Sequence, residues 1–160
     1  TQGESLGAVA RRFEAPIGEI LRAIGETGEG DAAGDLVAAP ARAGAAIHAW
    51  EAARGWGPVR IEIENAAGGT AECVLDHLEF AWKDGWFVIE APSLRLRIDA
   101  SRIASAWFLR QGDSRREIHF LDASGMAILT LALVRQKLGF DPLVEQGFSR
   151  AWRALAESAT

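Results

Sequence analysis

The side chains able to donate an electron pair to a metal or to a reaction are few: His48, His77, His119 and the lone Cys73. They are dispersed, with no His-x-x-x-His or Cys-x-x-Cys spacing to preorganise a metal ion, so a structural zinc site is not expected. Cys73 has no histidine at a compelling neighbouring position, and no serine is flanked as Gly-x-Ser-x-Gly, which leaves hydrolase chemistry without a nucleophile. Phosphate-cradling patterns are missing too: no Gly-x-Gly-x-x-Gly follows a strand and no Gly-Lys-Ser/Thr occurs. What the histidines can still supply is one axial donor to an iron held mainly by a macrocycle, which needs only one or two protein ligands. Otherwise each reads as a surface or hydrogen-bonded core residue.

Arg95 and Arg97 alternate with Leu94, Leu96 and Ile98, so both guanidinium groups fall on one face of a strand. There they can pair with carboxylates of a ligand or with Glu62 and Glu64 on a neighbouring strand. Six Trp and seven Phe stand beside no Tyr, and Trp82, Trp86, Trp107 and Phe108 gather in the strand-rich part of the chain. Aromatics so placed serve as core, as dimer contacts or as walls for a flat ligand.

The elements that must position these residues follow from periodicity. Leu6, Val9, Ala10 and Phe13 recur at helical spacing behind a Ser5 N-cap, and Pro16 opens a second helix with Ile17, Ile20, Leu21 and Ile24 as its stripe, closed by Gly25. This hairpin over 1–25 also has the outline of a helix-turn-helix DNA reader, but its second helix offers one base, Arg22, against Glu19. Residues 26–44 read as a connector rich in small residues, and a third helix is expected over 45–54 before Gly55-Trp56-Gly57-Pro58. From Val59 the period becomes two, and strands are expected at 59–64, 71–75, 78–82, 86–90, 94–98, 105–111, 116–121 and 127–134, as an antiparallel meander. Asp141 and Pro142 open a last helix with the stripe Leu143, Val144, Phe148, Trp152 and Leu155. Helices, then strands, then a helix make an α+β fold in a single domain spanning 1–160, since parallel βαβ units need a helix between successive strands.

With 49% hydrophobic and 24% charged residues among 160, the chain has the composition of a folded domain and not of a disordered one. A net charge of -5 disfavours nucleic acid, whose binding rests on neutralising phosphates with Lys and Arg. One cysteine excludes an intrachain disulfide, and no run of eighteen uncharged apolar residues signals a membrane span, so a cytoplasmic protein is expected.

Taken in order, Val9 to Ile24, Trp50 with Trp56-Gly57, Gly85-Trp86-Phe87, and Ile118-His-Phe-Leu-Asp-Ala-Ser-Gly125 followed by Met126 to Leu131 resemble the intracellular haem-utilisation proteins of the ChuX/HutX type. The likeness runs from Ser5 to Glu157 and extends, more distantly, to one half of the HemS-type haem-trafficking proteins. The resemblance implies a split-barrel-like antiparallel sheet with flanking helices, a homodimer formed through the sheets, and an intracellular carrier of haem for uptake, trafficking or storage. It also implies two haem-contacting histidines, and these positions fall on Arg97 and near Glu64 here. Arg is permanently protonated and has no lone pair for iron. Three outcomes stay open: another ligand, His77 or His119, with His77 preferred for iron; haem held by apolar contact with Trp82 or Trp86 and by Arg95 or Arg97 on its propionates; or loss of haem binding. A haem- or flavin-dependent enzyme is the alternative from another class, although no catalytic residue stands out.

Overall fold

The computed structural model of the protein describes residues 5–27, 36–65 and 67–156. The chain opens with helices α1 (Leu6–Arg12) and α2 (Ile17–Thr27), then strand β1 (Leu36–Pro40) and helix α3 (Ala46–Ala52). Strands β2 (Val59–Glu64), β3 (Thr70–Leu75), β4 (Ala81–Lys83), β5 (Trp86–Ala91), β6 (Leu94–Asp99), β7 (Ser105–Gln111), β8 (Arg115–Leu121) and β9 (Ala127–Leu133) follow, and helix α4 (Pro142–Leu155) closes the described chain. The expected α+β architecture, with leading helices and a final helix, is the one observed.

Local chemistry sets the boundaries. The Ser5 hydroxyl accepts from the Ala8 N–H at 3.2 Å, and an Asp141 carboxylate oxygen accepts from Leu143 and Val144 at 2.9 and 3.3 Å, so both N-caps read from sequence are made. Between β2 and β3, the Asn65 side chain gathers the Ala67 and Gly69 N–H groups at 3.0 and 2.8 Å, and Gly68 takes φ 87°. Asp84 and Gly85, at φ 53° and 82°, form the two-residue turn that pairs Lys83 with Trp86.

The strands divide into two antiparallel sheets: six strands in the order β1-β7-β8-β9-β2-β3, and three in the order β4-β5-β6. Their inner faces, with α3 and α4, enclose one core in which Trp50, Phe87, Phe108, Phe120 and Phe148 are essentially inaccessible. Trp50 lies 4.9–5.3 Å from the rings of Phe80, Phe87 and Phe120. On the other face of the large sheet the α1–α2 hairpin packs Leu6, Ala10, Ile17 and Leu21 onto Ala38, Leu109 and Leu121.

Four sequence expectations need correction. The stretch 26–44 contains a strand: β1 pairs with β7 from Leu36↔Gln111 to Pro40↔Trp107. Gly25 does not end α2; a Cβ there would stand 3.2 Å from the Ala38 carbonyl and 3.4 Å from Trp107, so glycine serves close helix–sheet contact instead. The strand expected at 78–82 begins only at Ala81, because the Leu78 backbone bonds to Gly55 and Trp56 at 2.7 Å each and the Phe80 carbonyl to Arg54 at 2.6 Å. Finally the strands are not one meander, since β9 turns back to pair with β2 from Val59↔Leu133 to Glu62↔Thr130.

Candidate functional site

The small sheet has one face in the core and one in water. Phe87, Ile89 and Ile98 point inward, so the alternate residues Trp86, Val88 and Glu90 of β5 and Arg95, Arg97 and Asp99 of β6 share the outer face. The pairs Ala81↔Val88 and Lys83↔Trp86 add Ala81 and Lys83 from β4. Three strands at the usual spacing make a platform roughly 10 Å wide between the outer backbones.

Its centre is apolar and its margin charged, with Arg95, Arg97 and Lys83 beside the carboxylates of Glu90 and Asp99. The Arg97 guanidinium lies 4.8 Å from the centroid of the Trp86 ring, a cation–π contact that leaves its N–H donors available. Beside them Val88 is only 9% accessible although it faces away from the core, which marks a packed floor and not a loose surface. Arg95 stands opposite Glu90 across the strand pair, with no ion pair to it among the described residues. Lys83 is exposed. Asp99 is turned to the following turn: its hydrogen bonds from Ser101, helped by Arg102, hold its carboxyl below the usual range. The residues present therefore fit a flat apolar ring bearing carboxylates. They do not include an iron donor of the usual kinds, because β4, β5 and β6 hold no His, Cys, Met or Tyr.

The structure thus unites Arg95, Arg97 and Trp86 and places the other sequence candidates elsewhere. Trp82 points to the inner face, its ring 3.9 Å from that of Phe87 and its indole N–H donating to Glu51 of α3. His77 is exposed in the loop between β3 and β4. His119 is buried at 3% accessibility on the outer face of the large sheet, where Thr130 Oγ1 meets Nδ1 at 3.1 Å and Glu117 Oε1 meets Nε2 at 3.0 Å, so both ring nitrogens are engaged. Burial pushes the Glu117 carboxyl up, but the His119 hydrogen bond and the charges of His119, Arg115 and Arg60 outweigh it and hold Glu117 below the ordinary range. The expected pairing of Arg95 and Arg97 with Glu62 and Glu64 does not occur: Glu62 pairs with Arg60 at 2.7 Å and Glu64 with Arg11 of α1, both on the other sheet. Sequence reasoning missed Val88 and Lys83, although the Asp84-Gly85 turn signals that Lys83 pairs with Trp86 and so shares its face.

Compared with solved structures, the chain superposes on the haem-binding protein ChuX with a TM-score of 0.71 at 15% identity, over 94% of this chain and 91% of that one. The chain has the ChuX fold. A second structure with this fold, a protein of Agrobacterium tumefaciens, gives a TM-score of 0.67 at 21% identity over 92% of this chain and 83% of that one. Holo-PhuS, a haem-binding protein from Pseudomonas aeruginosa, matches at 0.64 and 20% identity, with 89% of this chain on 40% of PhuS. The ChuX fold therefore spans less than half of that longer chain. No family model matches the sequence, and no curated protein aligns with it. No described helix is long and apolar enough to cross a membrane.

Proposed function

We propose that the protein binds haem on the outer face of the small sheet and serves as a carrier in haem uptake, trafficking or storage. The observation that carries this reading is the platform itself, an aromatic and aliphatic floor of Trp86 and Val88 flanked by three cations, Arg95, Arg97 and Lys83, against the two carboxylates of Glu90 and Asp99. The ChuX fold supports it, because the neighbours with that fold include proteins named for haem binding. Bound there, the porphyrin would rest on Trp86, with Val88 packed beneath, while Arg95 and Arg97, about 7 Å apart along the strand, receive its propionates. Haem would supply an iron centre. This chain's residues hold the ring and orient its carboxylates, which is the work of a binding protein.

The homodimer implied by the resemblance belongs to the same proposal: the sheets end in edge strands, β1 and β3 of the large one and β4 and β6 of the small one, to which a second copy can add. A cytoplasmic location fits a chain with one cysteine. Titration with haemin, followed at the Soret band, tests the function. Saturable binding at one haem per chain is expected, weakened about tenfold or more in Trp86→Ala and in the Arg95→Ala/Arg97→Ala pair. Equal affinity in all three proteins would contradict the site, and no saturation in the wild type would contradict the function.

A further inference from the structure

We propose that this platform recognises the tetrapyrrole ring and its carboxylates and is indifferent to the metal, so that a metal-free dicarboxylic porphyrin is a ligand on a par with haem. The inference rests on the placement of the platform argued above. Every side chain of the chain that commonly ligates haem iron can be accounted for. His119 has both nitrogens bonded inside the structure, and His48 is exposed on α3. Cys73 belongs to β3, where its sulfur lies 3.5 Å from the Ser93 hydroxyl. Met126 follows the turn that leads into β9, and His77 sits in the β3–β4 loop. None is on β4, β5 or β6.

Beside Val88, on the edge strand β6, stands Arg97, and a guanidinium is a poor neighbour for a ferric centre: it carries a permanent charge and no lone pair. It is instead suited to the ring's electron-rich face and to carboxylates, and its place over Trp86 already shows the stacking mode. The affinity of such a site comes from apolar area, stacking and two carboxylate contacts, all of which a metal-free porphyrin retains. Axial coordination adds little, because β4, β5 and β6 offer no donor of the usual kinds.

The test compares protoporphyrin IX, followed by its own fluorescence, with haemin under one set of conditions, using wild type, Arg97→His and His77→Ala. The expected result is that wild type binds the two ligands within about threefold, and that His77→Ala changes neither affinity nor the haemin spectrum. Arg97→His places a lone-pair donor on the face; it is expected to red-shift the haemin Soret band and to favour haemin over the metal-free ring by tenfold or more. Wild type binding haemin at least tenfold tighter than protoporphyrin IX, or losing haemin with His77→Ala, would overturn the inference while leaving haem binding in place. Failure of both ligands to bind would overturn the inference and the proposed function together. An Arg97→His protein with an unshifted haemin spectrum would overturn the assignment of the face.

Discussion

His119 shows what a sequence withholds at the scale of one residue. Its alternation with Ile118 and Phe120 puts it on the opposite face of β8, as the structure confirms, but alternation does not reveal that Glu117 and Thr130 use both its nitrogens. Glu117 lies two residues away on the same strand and so shares the face, whereas Thr130 comes from β9 across the ladder and only the register Thr130↔His119 exposes it. Breaking a buried pair leaves the survivor uncompensated, and His119→Ala is expected to cost about 3 kcal/mol in denaturant unfolding. Glu117 gives a pH signature. Its folded pKa is depressed, so its contribution is complete above the unfolded carboxylate value near 4.5 and is lost as pH falls through the folded value. Glu117→Gln is expected to be less stable at neutral pH and to lose less stability on acidification below pH about 4.5, which urea midpoints measured across that range would show.

Among elements, the helices were the most legible, because caps are local: Ser5 and Asp141 each satisfy N–H groups within three residues. Asp141→Ala is expected to lower stability by about 1 kcal/mol without altering the outer face of the small sheet. β1 was hidden because Leu36-Val-Ala-Ala-Pro40 has little alternation and a proline, and an edge strand next to β7 tolerates both. β4 was misplaced because Leu78 and Phe80 carry the apolar signal of a strand while their backbone is tied to the loop after α3. That crossing sets a tight limit at Gly57, where a Cβ would lie 1.7 Å from the Asp76 carbonyl oxygen. Gly57→Ala is expected to cost about 3 kcal/mol or more, whereas Gly44→Ala, at φ 80° with open space around it, should cost about 1 kcal/mol. Similar melting temperatures for the two variants would count against that packing.

For the whole molecule, the fold class and the order of elements were legible, and the partition into two sheets was not. Alternating strands look alike whichever sheet they join, and the choice is made by non-local pairs such as Val59↔Leu133. Within the small sheet the Asp84-Gly85 hairpin decides the faces: by pairing Lys83 with Trp86 it sends Trp82 inward against Phe87 and Trp86 outward against Arg97, although only three residues separate them. The partition also sets Arg97 and Glu64 on different sheets. The tetrapyrrole is proposed to bind one open sheet face among the described residues. Amide chemical-shift mapping with a diamagnetic metalloporphyrin puts this to the test: shifts are expected to concentrate in β4, β5 and β6, strongest at Trp86, Val88, Arg95 and Arg97. Shifts centred instead on the His77 loop, or on the large sheet around His119, would contradict it.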